Sequence, residues 1–364
     1  MTTPLRYGVI GTGMMGVEHI KNLLNLDGAI VTAVCDPVVQ SRDWAQLAVG
    51  LESPLARFES HHDLIASGLC DAVVIASPNH THHQVLLDVL ASPLHVMVEK
   101  PLCTTVDHCL EAVAAADRSA ARWPDRVVWM GLEYRYMPPT QAVLREVRAG
   151  TLGRVRMVAI REHRFPFLVK VGDWNRFSRN TGGTLVEKCC HFFDLMNLIV
   201  DRPPVRVMAS GAQDVNHLDE SYGGETPDIL DNAFVIVDYE GGARASLDLC
   251  MFAEASRNEQ EISVVGDEGK VEAMVSEGVL RVGRRCDGIG VVAERAVANP
   301  SIRHGGMHHG ASYLEHLGFR DAILSGTPAA VTLRDGLLSV AVGVAAHRSI
   351  ELGRPVNLQE VLQP

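Results

Sequence analysis

Lys100 is the residue of this sequence whose type and position best suit chemistry. It follows the apolar residues 96–98 and Glu99, and it precedes Pro101, so it is expected at the carboxyl end of a buried strand. Ligands of open α/β sheets bind outside these strand ends. A lysine in this position can exchange a proton with a bound hydroxyl, provided that burial and nearby positive charge lower its pKa.

A glycine-rich turn near the N-terminus predicts a second part of the site. Residues 11–16 read Gly-Thr-Gly-Met-Met-Gly, between a short apolar strand and a segment with helical spacing. In that setting the G-x-G-x-x-G pattern is typical of a dinucleotide-binding turn, and a chance glycine-rich turn is the alternative. The helix N-terminus supplies N–H donors to the phosphates. The expected cofactor contacts in this turn are Gly11, Gly13, Met14, Met15 and Gly16.

Asp36 follows the next apolar run, 20 residues after Gly16. A carboxylate at this distance accepts hydrogen bonds from the adenosine ribose hydroxyls and repels a 2′-phosphate, which favours NAD over NADP. Arg42 lies close enough in sequence to leave NADP as the alternative. A plain helix-capping role for Asp36 is the structural alternative.

A third group lies in residues 181–194, which we interpret as one helix. Glu187 and His191 are four residues apart and would share a face of that helix, while Lys188 and the two adjacent cysteines would turn away from it. A carboxylate and an imidazole on one face suit proton exchange with a sugar hydroxyl. A helix ion pair with a structural histidine is the alternative. Adjacent cysteines lack the spacing of zinc thiolates, and no metal is expected.

The elements that must position these groups divide into two patterns. Residues 1–133 alternate apolar strands with helices, which predicts a parallel sheet with right-handed crossovers and a Rossmann-type α/β domain. Residues 134–364 contain seven strand-like runs with few helices between them, which predicts an α+β domain with a large, mostly antiparallel open sheet. Polar residues 77–83 follow a strand of the first domain and fall on its ligand edge.

These motifs together resemble the glucose–fructose oxidoreductase / inositol dehydrogenase / MocA (Gfo/Idh/MocA) family. The resemblance rests on the glycine turn, Asp36, Ser77-Pro78-Asn79-His80-Thr81-His82 and Glu99-Lys100-Pro101, in this order. It implies that Lys100 lies beside the nicotinamide and transfers a proton, and that its bond to Pro101 is often cis. It further implies cofactor contacts from the strand ends, namely Ser77, Pro78, Asn79, His80, His82, Glu99 and Lys100.

The resemblance extends to the second half of the chain. Residues 182–194 match the family's G-G-x-x-x-D-x-x-x-H-x-x-D signature, with Glu187 where the family usually has aspartate. The implied catalytic residues are Lys100, His191 and Glu187. Family members commonly use the open sheet face to form dimers or tetramers, so a homo-dimer or homo-tetramer is expected.

Composition limits the classes of partner and compartment. The formal net charge of −11 argues against nucleic acid as the main partner. Eight cysteines in a chain of this length, without a signal-peptide pattern, indicate reduced thiols and a cytoplasmic protein. The longest apolar run near the C-terminus is too short to span a bilayer, so no membrane partner is expected.

A local excess of positive charge gives the one clue to the substrate. Residues 154–179 contain seven basic residues against two acidic ones, a net charge of +5. Arginine forks suit carboxylate, phosphate or sulfonate groups, which favours an anionic sugar. Charge balance with acidic neighbours is an equal alternative. The expected substrate-binding residues are Lys100, Arg161, Arg164, Lys170, Glu187 and His191.

The resulting hypothesis is an NAD-dependent oxidoreductase that acts on a hydroxyl of a sugar, sugar acid or cyclitol. A redox-neutral glycosidase that retains NAD and acts on an acidic or sulfonated glycoside is compatible with the same residues. A non-catalytic NAD sensor is a third class, although it has no need of Lys100 and His191.

Overall fold

Short apolar runs in the first third of the chain form one parallel sheet. The computed structural model describes residues 3–363. The six strands lie in the order β3-β2-β1-β4-β5-β6, and every neighbouring pair is parallel. They are β1 (Leu5–Ile10), β2 (Ala29–Cys35), β3 (Ala56–Phe58), β4 (Ala72–Ile75), β5 (His95–Glu99) and β6 (Val128–Gly131). The connecting helices are α1 (Met14–Leu24), α2 (Val39–Val49), α3 (His61–Ala66), α4 (His82–Leu90) and α5 (Val106–Ala120).

The strand order reverses between β1 and β4, which are neighbours in space but not in sequence. The ligand crevice of a doubly wound sheet opens at this switch point, outside the carboxyl ends of the strands. All four residues of β4 are fully buried, as expected of a strand that is covered on both faces. The predicted Rossmann architecture is therefore confirmed.

The second sheet has nine strands in the order β14-β13-β12-β11-β7-β10-β9-β8-β15. Only β7 and β10 pair in parallel, so the predicted, mostly antiparallel sheet is confirmed. The strands are β7 (Val155–His163), β8 (Pro204–Ala212), β9 (Asn232–Tyr239), β10 (Arg244–Cys250), β11 (Gln260–Gly266), β12 (Gly269–Met274), β13 (Val279–Arg284), β14 (Ala293–Ala296) and β15 (Val356–Asn357). The remaining helices are α6 (Pro138–Arg148), α7 (Ser178–Thr181), α8 (Thr184–Glu187), α9 (Cys190–Val200), α10 (Ala311–Ser325), α11 (Leu333–Leu352) and α12 (Gln359–Leu362).

Side chains of the second sheet alternate between a covered and an open face. Along β7, Val158, Ile160 and Glu162 are buried, and α9 packs against this strand. The residues between them point to the other face, because successive side chains of a strand point in opposite directions. On that face Phe234 of β9 is 67% exposed and Met208 of β8 is 54% exposed. This open face is defined by four exposed apolar side chains, those of Met157, Met208, Phe234 and Ile236.

The chain divides into two compact units. The first comprises the chain through Glu133 together with Lys170–Trp174 and Ser301–Leu337, and the second comprises the rest. The two later pieces therefore lie in the first unit, whereas the sequence placed everything after residue 133 in the second domain. Local contacts within the first unit explain this difference, because Met130 of β6 donates its N–H to the carbonyl of Val331 at 3.1 Å.

No helix within residues 3–363 is both long enough and apolar enough to cross a bilayer. The longest is α11, with 20 residues.

Candidate active site

The glycine turn between β1 and α1 is shaped by three glycines that have different surroundings. Gly11 has a φ of 88°, and a Cβ on Gly16 would come within 2.0 Å of the Gly11 carbonyl oxygen. A Cβ on Gly13 would meet nothing within 4 Å. Gly13 is also the N-cap of α1 and offers no side chain to its first turn. The turn is thus closed against the protein on one side and open above the helix N-terminus, where phosphates bind.

Asp36 follows directly on β2 and holds the glycine turn. Its Oδ2 accepts the backbone N–H of Thr12 at 2.8 Å, and its Oδ1 accepts that of Val38 at 2.9 Å. A carboxylate has about four lone-pair sites, so both oxygens retain capacity for ribose hydroxyls. Arg42 is buried and donates to the Asp36 carbonyl oxygen at 2.5 Å and to Glu59 at 2.9 Å.

The segment after β4 forms a short 3-10 turn, Asn79–Thr81, at the carboxyl edge of the sheet. Asn79 is buried, whereas His80 is exposed and its ring lies 6.2 Å from that of Trp174. Pro78 precedes the turn, and the Ser77 hydroxyl lies 2.7 Å from that of Thr81. Asn79 and His80 therefore occupy the strand end that the sequence predicted for them.

His82 does not face this edge in the way that the sequence suggested. The ring is buried, with Nδ1 2.8 Å from the Pro101 carbonyl oxygen and Nε2 2.9 Å from the Ser77 carbonyl oxygen. Each ring nitrogen thus faces a backbone carbonyl oxygen in a different loop, and the assignment of His82 as a cofactor contact stays a prediction. Burial lowers the pKa of His82, against the two carbonyl contacts, which raise it.

Lys100 follows directly on β5, and its bond to Pro101 is cis, as the resemblance predicted. Its backbone N–H donates to Glu99 Oε2 at 3.0 Å, and Glu99 Oε1 lies 2.8 Å from His19 Nε2. Glu99 is 4% exposed. Glu99 thus anchors the Lys100 backbone, and its assignment as a cofactor contact stays a prediction.

Buried polar atoms without partners indicate that the first unit can hold a dinucleotide. Thr12 Oγ1 and Asn79 Nδ2 are buried and have no hydrogen-bond partner within residues 3–363. Buried polar atoms are normally paired, and a ligand can supply the missing partners. Together with the open space at Gly13 and the carboxylate of Asp36, these atoms suit a bound dinucleotide at the switch point between β1 and β4.

The expected helix over residues 181–194 is broken in the second unit. It consists of α7, α8 and α9, with Lys188 and Cys189 in a turn between the last two. The expectation of one continuous helix is therefore wrong, and the expectation that Glu187 and His191 share a face stays a prediction. Both side chains are nevertheless buried, and the adjacent cysteines are fully buried, as predicted.

His191 belongs to a cluster that the sequence did not predict. Its ring stacks on that of Tyr134, with centroids 3.8 Å apart and planes inclined by 5°. The Tyr134 hydroxyl lies 2.8 Å from Lys188 Nζ, which also lies 2.8 Å from Glu162 Oε1. Lys188, expected to turn away, is instead buried at the centre of this cluster. Burial lowers its pKa, and the charge of Glu162 opposes this shift.

The basic segment 154–179 is matched by carboxylates. Arg161 pairs with Glu261 on the open sheet face, because its neighbour Glu162 points to the covered face. Its assignment as a substrate ligand stays a prediction, which this ion pair does not favour. Arg164 Nη1 lies 3.5 Å from Glu162 Oε1, next to the Lys188 cluster. Lys170 lies in the piece of chain that joins the first unit.

Three further arginines of the segment pair with carboxylates. Arg156 pairs with Asp267 at 3.0 Å, Arg176 with Glu220 at 3.0 Å and Arg179 with Glu225 at 2.5 Å. Four carboxylates from elsewhere in the chain thus offset most of the local excess of +5 that the sequence shows. The Arg154 side chain instead donates to the Gly241 carbonyl oxygen.

Side chains of metal-binding type come together at one place within residues 3–363, at His61, His62 and Asp88. His61 Nε2 already lies 2.8 Å from Asp88 Oδ2, as in a hydrogen-bonded ion pair. His80, His82 and His83 do not belong to this group.

Comparison with known proteins identifies the family. Residues 5–123 match the family model described as oxidoreductase family, NAD-binding Rossmann fold. Residues 145–358 match the model described as oxidoreductase family, C-terminal alpha/beta domain. Both models are those of Gfo/Idh/MocA proteins.

Similar individual proteins cover almost the whole chain. The myo-inositol 2-dehydrogenase of Thermotoga maritima is 29% identical over 98% of this chain and 100% of its own. The scyllo-inositol 2-dehydrogenase (NAD(+)) of Bacillus subtilis is 24% identical over 98% and 97%. The crystal structure of a probable dehydrogenase from Thermotoga maritima, 26% identical, has a TM-score of 0.76 over 98% and 100%. The chain belongs to the Gfo/Idh/MocA family of oxidoreductases, with an NAD-binding Rossmann domain.

Proposed function

We propose that this protein is an NAD-dependent dehydrogenase that acts on a CH–OH group of a cyclitol or a sugar. The observation that carries the proposal is Lys100, held through its backbone by Glu99 at the carboxyl end of β5. β5 adjoins β4, whose carboxyl end is followed by the buried Asn79. A proton acceptor at that edge suits alcohol oxidation better than it suits a binding protein.

Individual residues of the chain have different roles in the proposed oxidation. Bound NAD would accept the hydride from the substrate carbon. Lys100, in its neutral form, takes the hydroxyl proton and releases it to solvent, so that charge and protons balance. His191, whose ring is fixed by the stack on Tyr134, is a proposed substrate-binding residue on the basis of the family signature. Glu187 lies four residues before His191 and is also buried, and we propose the same role for it.

NAD is the proposed cofactor rather than NADP. The Asp36 carboxylate, fixed by two backbone N–H groups, would repel a 2′-phosphate. Arg42, which made NADP the alternative cofactor, donates hydrogen bonds to the Asp36 carbonyl oxygen and to Glu59. Its guanidinium therefore has less capacity for a phosphate.

Neutral cyclitols and sugars are the proposed substrate class. The arginines that suggested an anionic sugar are paired with carboxylates, among them Arg161, Arg176 and Arg179. Several of the similar proteins are inositol 2-dehydrogenases, and the inositols in their names are uncharged polyols. These two observations support a neutral polyol over the anionic sugar.

The decisive test is the variant Lys100→Met. We expect kcat with NAD and a panel that begins with myo-inositol, scyllo-inositol and glucose to fall by about 10²–10⁴-fold. The Kd of NAD, measured by fluorescence titration alongside that of NADP, should stay within about twofold, since the turn and Asp36 are unchanged. The exposed Lys21→Met on α1 is the matched control.

Three results would contradict the proposal. Turnover of Lys100→Met near the wild-type rate would remove Lys100 as the base. Release of an aglycone from nitrophenyl glycosides without accumulation of NADH would instead indicate the redox-neutral glycosidase. Tight NAD binding without oxidation of any panel member would indicate a sensor.

We further propose that the protein self-associates through the open face of its second sheet and works in a reducing compartment, the cytoplasm. Phe234 and Ile236 of β9 and Met208 of β8 form a contiguous apolar surface, since Ile236 pairs with Met208 across the strands. A second copy of the chain would remove this surface from water. Free, buried thiols such as Cys35 and Cys70 suit a reducing compartment.

A further inference from the structure

A row of buried ionisable side chains in the first unit leads to Lys100, and its two histidines have no part in the chemistry proposed above. His316 of α10 places its Nε2 2.8 Å from Nδ1 of His19 on α1. His19 Nε2 lies 2.8 Å from Glu99 Oε1, and Glu99 Oε2 accepts the backbone N–H of Lys100. His316 is fully buried, and His19 is 1% exposed.

Glu99 requires a positive partner, because an ionised carboxylate that is buried without one is strongly destabilising. His19 is placed to supply it. Burial lowers the pKa of His19, but the hydrogen bond and charge of Glu99 outweigh burial and raise the pKa overall. Burial and the charge of His19 hold the pKa of His316 well below its ordinary value. The geometry therefore fits an imidazolium at His19 that donates to Glu99 on one side and to a neutral His316 on the other.

The other charged groups around His19 are arranged in separate pairs. Glu133, after β6, lies 2.9 Å from His308 Nδ1. Glu18, the neighbour of His19 on α1, lies 3.6 Å from His304 Nε2 and accepts the N–H of Met307. Both carboxylates add to the positive pKa shift of His19. On α10, Glu315 accepts from the indole of Trp129 at 3.2 Å. Glu99 is thus the carboxylate to which His19 is directly bonded.

We propose that His19 is a positioning residue for the reaction, because its positive charge cancels that of Glu99 beside Lys100. The proposal rests on Lys100 as the base. An uncompensated carboxylate one residue away would stabilise the lysine ammonium and keep the amine protonated at neutral pH. With His19 in place, Glu99 anchors the lysine backbone without holding its proton.

The test removes the charge of His19 or of Glu99 by substitutions that keep a side chain able to form hydrogen bonds. His19→Gln retains an N–H donor toward Glu99 but removes the positive charge, and Glu99→Gln removes the negative charge. The readout is the pH midpoint of Lys100 acylation by acetic anhydride in the full-length protein, followed by peptide mass spectrometry. This readout needs no substrate. His61→Gln is the matched control, since His61 is bonded to Asp88 at 2.8 Å in the same unit.

We expect His19→Gln to raise the midpoint by about 1 pH unit and to move the acidic limb of kcat/KM in the same direction. Glu99→Gln should not raise the midpoint, and the double variant should return it to within about 0.3 unit of wild type. His61→Gln should leave it unchanged. A residue that only supports folding would not produce an upward shift that the second substitution cancels.

An unchanged midpoint in folded His19→Gln overturns the inference while the proposed function stands, provided that Lys100→Met still abolishes turnover. Retained turnover in Lys100→Met overturns the proposed function instead. Where circular dichroism shows that His19→Gln is not folded, neutron diffraction from wild-type crystals decides. Deuterium on both ring nitrogens of His19 supports the inference, and deuterium on one of them overturns it.

Discussion

Gly13 and Gly16 lie three residues apart in the glycine turn, yet a side chain would have opposite consequences at the two positions. At Gly13 an added methyl group meets no protein atom within 4 Å, and φ is −71°, which alanine adopts without strain. At Gly16 the same group would meet the Gly11 carbonyl oxygen at 2.0 Å. One glycine leaves space for a ligand, and the other lets the protein pack.

This difference predicts that Gly13→Ala and Gly16→Ala separate binding from folding. Gly13→Ala should unfold at the wild-type temperature and raise the Kd of NAD at least about tenfold, since its methyl group occupies the phosphate space. Gly16→Ala should lose about 1–3 kcal/mol of stability. Differential scanning calorimetry and fluorescence titration measure the two effects. Normal NAD binding by Gly13→Ala would show that the cofactor does not approach this turn.

Single residues were predictable from the sequence where one local motif places them, and not where distant segments meet. The glycine turn, Asp36 and Lys100 all lie at the ends of parallel strands, so strand order alone brings them to one edge. Tyr134 and Lys188 are 54 residues apart, and their contact depends on a turn that interrupts a helix. A signal was present, because Lys188 stands within an apolar stretch, and a buried lysine needs a carboxylate such as Glu162.

At the scale of elements, α8 depends on a histidine from a distant helix. His347 of α11 accepts the N–H of Leu185 in the first turn of α8 at 3.1 Å through Nε2. Only the neutral ring can accept at that nitrogen. Burial lowers the pKa of His347 to about 4.

Acid should therefore destabilise the second unit through His347. The folded-state pKa lies below the unfolded value of 6.5, so stability is fully present above pH 6.5 and falls as the pH drops toward 4. The shift corresponds to about 3 kcal/mol, which partial exposure of the ring reduces to about 2 kcal/mol. Urea unfolding at pH 7, 5 and 4 measures this loss. His347→Gln should lose less stability between pH 7 and pH 4 than wild type does, and an equal loss would rule out His347 as its source.

Strands of the second sheet were predictable because half of their side chains are buried in alternation. All seven expected runs are strands, with ends displaced by no more than two residues, as for β8 at Pro204–Ala212 against the expected 205–211. β14 has no such pattern, since its four residues are all exposed, and β15 has only two residues. The break before α9 was missed because residues 184–194 have helical composition throughout.

At the scale of the whole molecule, the open sheet face decides the oligomeric state that we propose. Phe234→Glu places a charge at a site that is 67% exposed in the single chain and would be buried between copies. We expect light scattering with size exclusion to show a multiple of 39.6 kDa for wild type and a smaller mass for this variant. Leu47→Glu on α2, at 65% exposure, is the control and should not dissociate the protein. A monomeric wild type would contradict the proposal.

The division into two units was only partly readable from the sequence. The change from alternating strands and helices to consecutive strands marks residue 133, and the first unit does run through Glu133. Lys170–Trp174 and Ser301–Leu337 return to the first unit through contacts such as the ring of Trp174 near His80. No local sequence pattern predicts that these two segments pack in the first unit, because their packing depends on where the preceding loops end in three dimensions.

His82 carries one proton and faces two acceptors. Its ring lies between the carbonyl oxygens of Ser77 and Pro101, at 2.9 and 2.8 Å, and burial lowers its pKa. A neutral imidazole has a single N–H, so it can donate to one of these oxygens at a time. The tautomer of one ring therefore selects whether the loop after β4 or the turn that bears Lys100 is held. The carbonyl oxygens of the two loops thus compete for one hydrogen atom. A change in either loop therefore alters the hydrogen bond that is available to the other.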